Sequence, residues 1–317
     1  MTTPTFTPPG HAVLGATHAN DLKALKADVA LFGAPHATGY RGDDNRVFEG
    51  APKAFRKALA HDSDWIDHWD FDLDGTLHPT GTKLRVADLG DLTTAPGDGP
   101  GNRAMIEATA RAILASGAIP MMIGGDDSVP IPFIAAFAKH GPITIVQVDA
   151  HIDWRQERRG EPLGLSSTMR RASEMKHVER IIQVGMRGIG SARASEVEAA
   201  RAWGATLITA KRVHEEGLQL VLDLVPAKSR VIVTIDCDSM DAGIMPAVLA
   251  PTPGGLTYYQ VKDLVAGVIA KAELAGFDII EFVPGRDNST GIAAYTAARI
   301  LWHAVGRLAS KTGKRTG

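Results

Sequence analysis

Residues 148–155 read VDAHIDWR, placing Asp149, His151 and Asp153 at alternate positions directly after an apolar run. Unpaired charge beside a core is costly, so the group is either a solvated loop or a site that needs those side chains. A second run, RVIVTIDCD, ends on Asp236 and Asp238 in the same i, i+2 relation. A third, IPMMIGG, leads into Asp126, Asp127 and Ser128, and a fourth, FDIIEF, reaches Glu281. Any one of these acids could start a loop or cap a helix. The combination fits that reading poorly, because like charges crowded at one edge repel unless cations neutralise them. One histidine among many carboxylates suits a pair of divalent ions such as Mn2+, which could polarise a substrate and activate water.

The elements that must position these groups alternate along the chain. Strands are expected at 28–33, 84–90, 119–124, 143–149, 180–185, 205–209, 230–236 and 277–282, mostly as continuous apolar runs of the kind buried on both faces. Helical stretches at 102–117 and 191–204 end on Gly117 and Gly204, and 257–276 opens with Thr257 and Gln260 at capping-box spacing. The pattern predicts an α/β fold, a three-layer α/β/α sandwich with an eight-stranded, mainly parallel sheet. A closed (β/α)8 barrel has the same alternation and stays open at this point. The acids then lie at the carboxyl ends of strands, where open α/β sheets place their ligands. If the extended path continues past 149, Asp149, His151 and Asp153 share one face. With no long linker or repeat, residues 1–317 read as one domain with an N-terminal extension over 1–27.

Composition narrows the function. The 317 residues are 44% hydrophobic and 22% charged with a net charge of −2, so the chain can fill a large core. It carries no electrostatic footprint for nucleic acid or an anionic membrane. No apolar run reaches the roughly 20 residues of a membrane helix, and the N-terminus lacks a secretory pattern. Cys237 is the one cysteine, which points to a reducing, cytoplasmic setting. It alternates with Asp236 and Asp238 and is expected in the core. DCDSMDAG is not an EF-hand loop, since Asp241 holds the position that needs glycine. VGMRGIG (184–190) has the wrong glycine order for a dinucleotide fingerprint.

The set GGDDS (124–128), DAHID (149–153), DCDSMD (236–241) and EFVP (281–284) resembles the ureohydrolase family, the arginases, agmatinases and related guanidino-group hydrolases. The resemblance runs over about residues 28–310, and PTPGGLTYYQ (251–260) fits it as well. It implies a binuclear centre in which Asp149 and Asp236 bridge the metals, His151 and Asp238 complete one shell, and Asp153 and Asp127 complete the other. Glu281 matches the glutamate that faces the substrate guanidinium, and Asp153 would carry a proton to the departing amine. Mn2+ is the default metal and Ni2+ the alternative. The implied products are urea and an amine, and the implied assembly is a homotrimer or homohexamer.

Two positions depart from the family pattern. Asp127 stands where the family's motif has histidine, so five aspartates would oppose about four positive charges on two divalent ions. The extra charge predicts a more alkaline activity optimum than an Asp127→His variant would show; alternatively, Asp127 swings away and leaves one weak site. In GLSSTMRR (164–171), Leu165 takes the place of a histidine that agmatinase-like members carry. These departures motivate a second reading, a weakly active or inactive subunit of a mixed oligomer with a paralogous chain. A deacylase of the related histone-deacetylase-like fold is disfavoured, because no paired histidines precede the metal-site motifs. Substrate choice is expected in the loops 36–50 and 154–168, where Arg41 could pair with a carboxylate and Asp43 or Asp44 with an amine.

Overall fold

The strands expected from the apolar runs all form in the computed structural model, which describes residues 3–82, 84–189 and 192–313. They are β3 (Val29–Ala34), β4 (Val86–Leu92), β5 (Ile119–Gly124), β6 (Ile143–Val148), β7 (Val178–Met186), β8 (Thr206–Thr209), β9 (Arg230–Asp236) and β10 (Glu273–Ile280). Two short strands precede them, β1 (Phe6–Thr7) and β2 (Thr17–His18), and both pair with β4. The sheet therefore has ten strands rather than eight, and residues before 28 contribute to its edge instead of forming only an extension. Two-residue strands carry no readable periodicity, which is why the pattern missed them.

The order is β1-β4-β3-β5-β10-β9-β6-β7-β8, with β2 off this path. Among the described strands only β1 runs antiparallel. The sheet is open, so the barrel alternative falls. Side chains alternate between two cores: Val146 and Val148 of β6 face one, Ile143 and Ile145 the other. The first core is covered by helices Ala51–Asp64, Tyr258–Lys271 and Ile292–Gly313. The second is covered by Gly99–Ala115, Pro130–Ala135 and Thr168–Ser173. This is the three-layer sandwich. No helix among the described residues is long and apolar enough to cross a membrane.

The boundary at 271 differs from expectation. The helix opens as predicted: the Gln260 amide donates to Thr257 Oγ1 at 3.2 Å and the Thr257 amide to Gln260 Oε1 at 2.9 Å. It stops at Lys271, and ELAG joins β10 instead of extending the helix to 276. Helix-forming residues there are overridden by pairing, since Glu273 and Leu274 are in register with Arg230 and Val231 of β9. The helix expected over 191–204 runs Ala194–Trp203 and ends on Gly204 with φ +103°, and Ser191 lies outside the described residues.

Candidate metal centre and catalytic site

The four acid-bearing strands are consecutive neighbours in the sheet, in the order β5-β10-β9-β6. Val148 is in register with Ile235, and Ile280 with Asp236, so the carboxyl ends of β6, β9 and β10 align. Beyond those ends lies a cavity of about 660 Å3, within the usual range for small-molecule sites. Asp126, Asp127, His151, Asp153, Asp236, Asp238 and Glu281 all line it.

Asp153 arrives by a different route from the one expected. β6 ends at Val148, and Asp153 adopts φ +48°, so a turn rather than an extended path brings it back. Glu281 is likewise outside β10, with φ +64°. Left-handed backbone at non-glycine residues costs roughly 1–3 kcal/mol each and persists where the surroundings hold it. The Glu281 amide donates to the Gly125 carbonyl at 2.8 Å, and Glu281 Oε1 accepts from the Asp127 amide at 2.7 Å. Gly125 must stay glycine, since a Cβ there would lie 2.1 Å from the Pro35 carbonyl oxygen.

Two donor groups share one residue. Asp149, His151 and Asp238 bring ligand atoms within 4.8 Å of one another, and so do Asp127, Asp149 and Asp153. Within the first group His151 Nδ1 lies 3.1 Å from Asp238 Oδ2 and 3.4 Å from Asp149 Oδ1. Asp236 lines the cavity but belongs to neither group, and its Oδ1 accepts from the Asp238 amide at 2.7 Å. Asp127 does not swing away: its carboxylate joins Asp149 and Asp153. Its Oδ2 is buried without a hydrogen-bond partner among the described residues.

The electrostatics follow from the crowding. Burial first, then neighbouring carboxylates, push Asp127, Asp153, Asp236 and Glu281 well above the usual carboxylate range. Burial also raises Asp149. Asp126 is pushed up to about 6 by burial, and its Oδ1 accepts from the Ser128 hydroxyl. Burial disfavours the charged imidazole, yet Asp149 and Asp238 push His151 up to about 12. Asp238 is held low despite its burial by His151. Orphaned carboxylate oxygen, oxygen-rich donors and mutual repulsion together fit divalent cations.

Three supporting groups escaped the sequence reading. Gln147 Nε2 donates to Asp149 Oδ2 and to Asp153 Oδ2, both at 2.7 Å. Gln183 donates to Gln147 at 2.5 Å. Their signal was a polar residue inside each of two apolar runs, ITIVQVD and RIIQVG. Arg187, within the glycine-rich VGMRGIG, donates to the carbonyls of Asp238 (2.7 Å) and Thr252 (2.8 Å) and holds the second aspartate loop. Cys237 is fully buried in the core, as expected.

At the cavity mouth, Arg155 and Arg158 line the wall, whereas Arg41 is exposed and does not. Asp43 is engaged by Arg159 at 2.6 Å and Arg158 at 3.6 Å, and Asp44 by Arg46 at 2.7 Å. Leu165 lines the cavity beside Ser166, which hydrogen-bonds Tyr40 at 2.8 Å.

Comparison with known proteins agrees with this fold. An N(1)-aminopropylagmatine ureohydrolase of Thermus thermophilus is 34% identical over 194 residues, 61% of this chain. The chain spans 64% of that relative's length. A guanidinobutyrase of Pseudomonas aeruginosa is 30% identical over 69% of this chain and 70% of its own. The proclavaminate amidino hydrolase of Streptomyces clavuligerus superposes with a TM-score of 0.80 at 26% identity over 98% of each chain. The sequence profile of the Arginase family matches residues 27–306, which takes in every strand-end acid described above, and the chain belongs to that family.

Proposed function

We propose that this chain hydrolyses the C–N bond of a guanidino compound to urea and an amine at a centre of two divalent cations. The observation that carries this reading is the buried Asp149, shared between two donor groups whose His151, Asp238, Asp127 and Asp153 line a cavity together with Glu281. Asp149, His151 and Asp238 would hold one ion, and Asp127, Asp149 and Asp153 the other, with Asp236 lining the same cavity as a further carboxylate ligand. The oxygen-rich donors favour Mn2+, with Ni2+ as the alternative. Cations bound there would activate water and compensate the charge of the tetrahedral intermediate.

The chain's own residues do the rest. A guanidinium is planar, cationic and resonance-stabilised, so it must be oriented before water can attack its carbon. Glu281, with one oxygen anchored on the Asp127 amide at 2.7 Å, supplies the opposite charge that orients it. Leu165 cannot move a proton, and Asp153, which lines the cavity, would carry the proton to the departing nitrogen, as the family resemblance implies. Guanidinium plus water then gives urea plus an alkylammonium ion, and atoms and charge balance.

Both mouth carboxylates are engaged by arginines, and Arg155 and Arg158 line the wall. This supports a tail without an amine, such as an ω-guanidino acid, over agmatine. The exposed aromatics Trp65, Trp69, Phe71 and Tyr259 support self-association, read here as a homotrimer or homohexamer. The single buried cysteine supports a cytoplasmic setting.

Urea release tests the proposal. The purified chain, loaded separately with Mn2+ and Ni2+, is assayed with guanidinobutyrate, agmatine, free guanidine and a biguanide. Urea from one of them, with guanidinobutyrate ahead of agmatine, is expected. No urea from any of them under either metal would sink the proposal.

A further inference from the structure

Gln147 and Gln183 are register partners on β6 and β7, and both are buried. A carboxamide can point either way, so something must fix which end faces the acids. An indole N–H can only donate. Trp154 Nε1 donates to Gln183 Oε1 at 2.8 Å, which fixes the Gln183 amide with its nitrogen on the other side. That nitrogen has two hydrogens, and both are used: one on Gln147 Oε1 at 2.5 Å, one on the Ile152 carbonyl at 2.8 Å. Gln147 is thereby fixed with its own nitrogen toward the site. Its two hydrogens go to Asp149 Oδ2 and Asp153 Oδ2, each at 2.7 Å. Reversing Gln147 would set its carbonyl oxygen against two carboxylates.

We propose that Trp154, Gln183 and Gln147 form a one-way hydrogen-bond relay that positions Asp149 and Asp153 to receive a divalent cation. The proposal rests on the metal-centre reading above. Three neutral residues present two donors to two acids, so the carboxylates are held without a competing positive charge. Asp149 belongs to both donor groups, so the relay acts on both halves of the centre.

The test is calorimetric titration of Mn2+ into the metal-free full chain, beside the thermal midpoint of that metal-free chain. Trp154→Phe keeps an aromatic ring but removes the indole N–H that sets the polarity, together with part of the ring volume. Gln183→Met interrupts the relay by a second route. Trp203→Phe is the control: Trp203 packs on Trp154 with centroids 6.1 Å apart, but its N–H goes to the Ser173 carbonyl, away from the site. Outer-shell partners of metal ligands are typically worth about 10–100-fold in affinity. Trp154→Phe and Gln183→Met are expected to bind Mn2+ at least about tenfold more weakly, while Trp203→Phe binds as the parent does. Parent-like affinity in both relay variants would overturn the relay, as would an equal loss in Trp203→Phe. A parent chain that binds no divalent ion would instead remove the metal reading beneath it.

Discussion

Glu281 Oε1 accepts a 2.7 Å hydrogen bond from the backbone amide of Asp127, joining the ends of β10 and β5 across 154 residues of sequence. The bond fixes the one carboxylate assigned to the substrate rather than to a metal. Glu281→Gln keeps an acceptor for that amide and removes the charge. A hydrogen bond to a charged group contributes about 1.5–3 kcal/mol, so kcat/KM for a guanidino substrate should fall roughly 10–150-fold. The bound-metal count should not change, and urea assays beside metal analysis check both.

Asp127 contributes to only one donor group. Asp127→Ala should therefore lower the metal content from two ions per chain to one. Asp127→His should bind two and shift the preference toward Ni2+, which accepts more nitrogen. Metal analysis after loading with equal Mn2+ and Ni2+ decides it.

Much of this centre was legible because parallel strands buried on both faces read as apolar runs and the acids follow directly after them. GGDDS, DAHID, DCD and the Glu281 segment were located that way, and their strands proved to be adjacent. That adjacency was not legible, since β10 is last in sequence yet lies between β5 and β9. Nor was the turn at Asp153, which needs a left-handed φ that tertiary contacts impose on a non-glycine residue. Gln147 and Gln183 were hidden because one polar residue does not disturb an apolar run. The ELAG segment misled by propensity, because strand pairing outweighs the helix preference of Glu, Leu and Ala.

Arg187 donates to five carbonyls, those of Asp238, Thr252, Met240, Ser239 and Gly185, at 2.7–3.3 Å. Arg187→Met removes the guanidinium from these carbonyls, of which Ser239 keeps the Leu256 amide at 2.9 Å, and frees the Asp238 loop. Unfolding free energy should drop by about 2–3 kcal/mol in denaturant titrations, and Arg187→Lys should recover part of it.

His303 is fully buried, and its Nε2 accepts from Arg307 Nε at 3.1 Å, which requires the neutral ring. Burial, then Arg307 and Lys262, hold its pKa down to about 3. The unfolded chain binds this proton below about pH 6.5 and the folded chain does not. The stability is thus present above pH 6.5 and is lost as pH falls from there toward 3, at up to about 1.4 kcal/mol per pH unit. Between pH 7 and 5 the parent should lose roughly 2 kcal/mol more than His303→Gln. Equal losses in both chains would show that His303 is not the cause.

In the proposed centre Asp149 serves two metal positions at once. The most direct measurement counts divalent ions per chain in the same samples assayed for urea, for the parent and for Asp149→Asn. Two ions with urea release in the parent, and loss of both ions and of activity in Asp149→Asn, is the predicted result. Full urea release with a single ion in the parent, or two ions retained by Asp149→Asn, would contradict it.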